Sequence, residues 1–313
     1  MLRVKRSRLG AGLLSLLLIS CGESSISSRG GDGPAMPSIP YAYTDVGLVK
    51  NEPGAGERYV AMGDSAAAGP LILMQRNDPL DCFRSDANYP SILAALAGVA
   101  RFQDMSCSSA LTDHLFSAQN DNPPQLDALR PDTTLVTIGP MGANDIGTLD
   151  AFVQCAVTGA GGLGPECAGN YPVTDGRDQF SPLLEKVADN IGKALDEAHR
   201  RSPKARIYVV GYGLYFPEDG CFPIQPYSAE ASNYIQGLHN RVNEVLRQQA
   251  ELHGARYVST QEGEAAQHTS CALPLDRWLV GVAPDSPAFP FHPSALGMQN
   301  YGAMAKAFID AHP

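Results

Sequence analysis

Apolar positions along the chain follow two rhythms. Five short runs, Tyr59–Met62, Phe102–Met105, Leu135–Ile138, Ile207–Val210 and Tyr257–Ser259, recur at wide intervals. Each has the length and β-rich composition of a buried strand. Elsewhere the spacing changes to three-to-four. Phe180, Leu183, Leu184, Val187, Ala188, Ile191, Ala194, Leu195 and Ala198 share one helical face, with Ser181-Pro182 as capping serine and first-turn proline. Ala231, Tyr234, Ile235, Leu238, Val242, Val245, Leu246 and Gln249 form a second face, and Ala295 to Ala311 a closing helix. Strands separated by helices predict a parallel sheet covered on both sides. The expected fold class is α/β, a three-layer α/β/α sandwich around a five-stranded parallel sheet, with no internal repeat.

The amino terminus breaks this pattern. Arg3, Lys5, Arg6 and Arg8 precede the apolar stretch Leu9–Ile19, which is too short to span a bilayer and has the form of a signal peptide. It ends in Leu18-Ile19-Ser20-Cys21, which resembles the bacterial lipobox; that resemblance implies cleavage before Cys21 and lipid attachment to it. Residues 22–40 are rich in Ser, Gly and Pro and read as a flexible tether. The expected organisation is a leader over 1–20, lipidated Cys21 with its tether over 21–56, and one domain over 57–313.

Composition narrows the possibilities. The formal charge is −10, and losing the leader's four basic residues takes it to −14. Nucleic acid is excluded as a partner, because phosphate neutralisation needs a basic surface. The only membrane attachment expected is through the lipid at Cys21. Setting Cys21 aside leaves Cys82, Cys107, Cys155, Cys167, Cys221 and Cys271, an even number in an exported chain, which predicts disulfides. Six cysteines allow fifteen connectivities; pairing of sequence neighbours is the first choice.

In parallel sheets ligands gather beyond the carboxyl ends of the strands. After the first strand comes Gly63-Asp64-Ser65, which puts Ser65 at the positive end of a helix. Taken alone, this is also the pattern of an N-cap serine in a glycine-bounded turn. Ser106-Cys107-Ser108-Ser109-Ala110 follows the second strand, Gly139-Pro140-Met141-Gly142-Ala143-Asn144-Asp145 the third, and Phe289-Pro290-Phe291-His292-Pro293 precedes the last helix.

Gly63-Asp64-Ser65, Gly142-Ala143-Asn144-Asp145 and His292-Pro293 resemble, in order, the blocks of the SGNH or GDSL hydrolases. Cys82-Phe83-Arg84-Ser85, Asn88-Tyr89-Pro90 and Cys107-Ser108-Ser109-Ala110 narrow the likeness to the secreted actinobacterial lipases and esterases of that family. The resemblance spans roughly residues 57 to 312. It implies a flavodoxin-like SGNH fold, hydrolysis of an acyl ester, no cofactor and no metal. It also supports the pairs Cys82–Cys107, Cys155–Cys167 and Cys221–Cys271. By the same resemblance Ser65 is the nucleophile and His292 the general base. The backbone N–H groups of Ser65 and Ser109 and the Asn144 amide form the oxyanion hole. Asp145 is expected to hold its loop, and His199, His239 and His253, on predicted helices, to be solvated.

Three positions depart from the family pattern. Phe289 stands where an acidic residue commonly orients the histidine; the Phe289 backbone carbonyl is expected to replace it, with Asp285 as runner-up. Ser109 replaces a glycine, which matters if the backbone there has positive φ. Gly139-Pro140-Met141 lengthens the third block, either bulging outward or displacing Asn144. The expected protein is an extracytoplasmic, membrane-anchored monomeric esterase or lipase. A polysaccharide O-acetyl esterase, a phospholipase and an inactive ligand-binding lipoprotein are the alternatives. The apolar Pro70–Met74 segment mildly favours a lipid substrate, with core packing as its other explanation.

Overall fold

The computed structural model describes residues 56–158, 167 and 177–313. The leader, Cys21 and the tether lie outside the described residues. Contacts divide the chain into Met1–Tyr43 and Thr44–Pro313, and only the second unit contains described residues.

Strands β1 (Arg58–Met62), β2 (Arg101–Asp104), β3 (Leu135–Ile138), β4 (Arg206–Val210) and β5 (Arg256–Val258) form one sheet in the order β2-β1-β3-β4-β5, every pair parallel. β2 and β5 begin and end one residue before their apolar runs. Pairing with the neighbouring strand sets their ends, at Arg58↔Arg101 and Tyr208↔Arg256.

Alternation along the strands builds two cores. Val60, Met62, Val136, Ile138, Ile207 and Val209 belong to the core with Val187, Ile191 and Leu195 of α4 (Ser181–Arg201) and Val242 and Leu246 of α5 (Ala229–Leu252). Tyr59, Ala61, Leu135, Tyr208, Val210 and Val258 pack instead with Leu93 of α2 (Tyr89–Ala97) and Met298, Tyr301 and Ala305 of α6 (Ala295–Ala311). This is the expected three-layer arrangement. Two details differ from the sequence reading. Ser181 is the first helical residue of α4 rather than its cap; Asp178 Oδ1 accepts from the N–H groups of Phe180 and Ser181 and from the Ser181 hydroxyl. Helices α2 and α3 (Thr148–Thr158) have no counterpart in the periodicity, because α2 is short and α3 leaves Val153 and Val157 exposed opposite its buried Phe152.

Three disulfides join Cys82 to Cys107, Cys155 to Cys167 and Cys221 to Cys271. The first ties the Cys82–Ser85 segment to the loop after β2, where Ser108 N–H also donates to Cys82 O at 2.9 Å.

Candidate active site

In the order β2-β1-β3-β4-β5 the switch point lies between β1 and β3, and the crevice opens there. β1 ends in Gly63-Asp64 and the chain turns into the short helix α1 (Ser65–Ala68). Asp64 caps α1 through a 2.8 Å bond from Ala66 N–H. The turn is tight: a Cβ on Gly63 would lie 2.6 Å from that of Ala67. The buried Gln125 clamps the Gly63 peptide on both sides, accepting from its N–H at 2.8 Å and donating to its carbonyl at 3.0 Å. Ser65 thus stands at the mouth of the crevice on a fixed backbone.

His292 arrives from 227 residues away in sequence, and its Nε2 lies 2.7 Å from Ser65 Oγ. Its Nδ1 lies 2.8 Å from the carbonyl oxygen of Pro290. A carbonyl only accepts, so Nδ1 carries the proton and Nε2 presents its lone pair to the serine. The carbonyl that faces Nδ1 is that of Pro290 and not the expected one of Phe289, which is taken by the His292 backbone N–H at 3.1 Å. Asp285 is also displaced from this role: it pairs with Arg277 Nη1 at 2.7 Å. Burial lowers the His292 pKa to about 4, against the opposing pull of the Pro290 carbonyl.

Asn144 and Ser109 line the same cavity. Asn144 Nδ2 donates to Ala110 O at 3.0 Å, which leaves its second N–H for a ligand. Asp145 Oδ1 accepts from the Thr112 hydroxyl at 2.6 Å, and the carboxylate also takes the Thr112 N–H, so it holds the loop as expected. Gly139-Pro140-Met141 does not bulge outward. Met141 is buried, and Pro140 O accepts from Asp64 N–H at 2.9 Å, so the lengthened block braces the serine turn. Ser109 has φ 64°, the left-handed conformation its family's glycine suits better. Among the described residues the Ser65 and Ser109 N–H groups have no hydrogen-bond partner. Arg84 supports this loop from below, donating from Nη1 to Ser106 O at 3.0 Å.

The cavity, about 280 Å³, is lined chiefly by apolar groups. Its aromatic wall centres on Phe152, which stacks on Phe291 at 4.0 Å and meets Tyr215 edge-on at 5.5 Å. His239 lines it too. It is buried, not solvated: Nδ1 donates to Ile235 O at 3.1 Å, and burial lowers its pKa to about 4. Tyr212 donates its hydroxyl to Asp64 and accepts from Ala143 N–H, joining the first and third blocks. The sequence reading missed these residues, although signals were present. Gly211-Tyr212-Gly213 follows β4 directly, and His239 lies four residues after Ile235, on the apolar stripe of α5. Among the described residues no group of three or more His, Cys, Asp or Glu side chains is placed to hold a metal ion.

Residues 61–299 match the GDSL-like Lipase/Acylhydrolase family. The chain belongs to that family. Its class of activity is accordingly carboxylic-ester hydrolysis. It is 34% identical over 250 residues to Lipase 2 of Streptomyces coelicolor, covering 76% of this chain and 81% of that protein. Among solved structures it is similar to phospholipase A1 from Streptomyces albidoflavus, at 25% identity and a TM-score of 0.63, over 82% of this chain and 99% of that one. An extracellular lipase from Streptomyces rimosus shares the fold at 23% identity and a TM-score of 0.65, over 80% and 99% of the two chains.

Proposed function

We propose that this GDSL-family esterase acts through an acyl-enzyme on Ser65, with His292 as its base, outside the cytoplasm and tethered by lipid at Cys21. The observation that carries the mechanism is the 2.7 Å contact between Ser65 Oγ and His292 Nε2 at the mouth of an apolar cavity. Ser65 Oγ attacks the ester carbonyl carbon while its proton passes to Nε2. The Pro290 carbonyl holds the Nδ1 proton and favours the imidazolium that forms. The oxyanion is met by the N–H groups of Ser65 and Ser109 and the free N–H of Asn144. His292 then gives its proton to the departing alcohol. A water, deprotonated by the same nitrogen, cleaves the acyl-enzyme and restores Ser65.

The test is hydrolysis of p-nitrophenyl esters by the wild type, Ser65→Ala and His292→Ala. Each variant is expected to lose about 10³-fold or more in kcat with an unchanged melting curve. Activity surviving in Ser65→Ala overturns the assignment.

The apolar lining favours an acyl chain longer than acetyl, which supports lipid-like esters over O-acetylated polysaccharides. The serine–histidine contact speaks against an inactive binder. Export is supported by the leader pattern and by three disulfides, which persist in oxidising compartments. Cys21→Ser is expected to abolish incorporation of labelled fatty acid in cells; retained labelling overturns the anchor.

A further inference from the structure

The Pro70–Met74 segment divides in the structure. Pro70 and Ile72 are buried, while Leu71, Leu73 and Met74 are exposed. Leu71 lines the active cavity, as do the exposed Phe83, Leu149 and Phe289. Leu73 and Met74 continue this rim without entering the cavity lining. Across these six side chains exposure runs from 38% to 63%. Two parts of the rim lie side by side, because the chain at 73–76 runs antiparallel to 84–86. Met74 O accepts from Asp86 N–H at 3.1 Å, Leu73 O from the Ser85 hydroxyl at 3.3 Å, and Arg84 O from Arg76 N–H at 2.7 Å.

This rim is held outward by its backbone. Leu71, Met74 and Phe83 have φ values of 65°, 67° and 49°, left-handed conformations that such residues rarely adopt. The segment is pinned at both ends. Gln75 Nε2 donates to the carbonyls of Gly69 and Ile72, and Phe289 N–H donates to Pro70 O at 3.1 Å. Large apolar side chains fixed in water around a catalytic mouth lose free energy until something apolar covers them. The charges among them settle what kind of cover. Asp81 and Asp150 adjoin the rim residues in sequence, while Arg76 turns onto Asp78 and Asp104 and Arg84 is buried. An anionic bilayer is repelled by such a rim, and a neutral one is not.

We infer that this apolar rim docks on an electrically neutral lipid surface and seats the cavity mouth against esters held in that layer. The inference rests on the ester-hydrolase reading of Ser65 for its purpose, though docking itself does not require turnover. Leu73→Ser with Met74→Ser, outside the cavity lining, separates the two.

On p-nitrophenyl butyrate dissolved in water the double variant should match the wild type within about twofold. On p-nitrophenyl palmitate carried in phosphatidylcholine vesicles it should fall by about tenfold or more. Unchanged turnover in vesicles, or an equal fall on both esters, overturns the inference. So does a preference for phosphatidylglycerol vesicles. A second readout is independent of hydrolysis. In the full chain carrying Ser65→Ala and Met74→Trp, brominated phosphatidylcholine should quench the added tryptophan and spare the buried Trp278. Fluorescence of the added tryptophan that bromine leaves unchanged refutes docking. A wild type that hydrolyses neither ester refutes the Ser65 assignment and leaves the quenching result to decide the rim.

Discussion

His292, the proposed base, can accept a proton only while neutral, and burial lowers its pKa to about 4. The acid limb of kcat/KM is therefore expected near pH 4, not near the ordinary imidazole value of about 6.5; a limb at 6.5 in a pH–rate profile contradicts this environment. Asp64 shifts the other way. Its burial outweighs the Tyr212 hydrogen bond and raises its pKa to about 7. A carboxyl with a raised folded-state pKa stabilises the fold below its unfolded value and loses that contribution as pH rises through 7. Asp64→Asn should therefore gain stability relative to wild type between pH 4 and pH 8, measured by urea unfolding at each pH. The lowered His239 and His292 act oppositely, removing stability as pH falls from about 6.5 through 4. Asp285→Ala should keep kcat within about threefold, since Asp285 pairs with Arg277; a loss of about 10³-fold, the scale of removing a triad carboxylate, would restore it as the orienting group.

Among the elements, the loop Ser106–Ala110 carries Ser109, the proposed oxyanion donor, and is held from two sides. The Cys82–Cys107 bond closes a span of 25 residues, worth roughly 3–4 kcal/mol in the chain-entropy model. Arg84 is fully buried and bonds both Ser106 O and Asn122 Oδ1. Arg84→Met leaves those acceptors and the charge of Asp104 less well compensated, and should cost about 3 kcal/mol in urea unfolding. Its kcat should fall further than that of a surface variant, because Ser109 loses its support. Gly142 is equally constrained: its φ is 112°, and a Cβ there would lie 2.9 Å from Val187 Cγ1. The long helices of this framework were legible because each repeats its apolar period over many residues, and the strands because their short apolar runs stand apart at wide intervals. Helices α2 and α3 were not, since their buried faces are short or blurred by exposed valines.

Across the whole molecule, parallel pairing brings the carboxyl ends of β1, β3 and β4 to one edge, where the cavity opens. Each methylene buried there should contribute about 0.8 kcal/mol, so kcat/KM on water-soluble esters should rise roughly fourfold per carbon from acetate until the cavity is filled. A flat or falling series from acetate onward, read from a p-nitrophenyl ester panel, points to an acetyl esterase. Reduction of all three disulfides should lower the melting temperature, with the loss shared by the Cys221–Cys271 closure of the loops after β4 and β5.

The sequence by itself determined the three-layer class and the chemical types at the strand ends, and the family resemblance pointed to neighbour pairing of the six cysteines, because periodicity, turn chemistry and family blocks are local along the chain. Tertiary structure alone decided which carbonyl faces His292 Nδ1, that the buried His239 and Tyr212 reach the cavity, and which apolar residues of Pro70–Met74 stay in water. The last two depend on contacts between residues far apart in sequence; the first depends on the local backbone path from Phe289 to His292, where a one-residue shift leaves the composition unchanged and changes which carbonyl faces Nδ1.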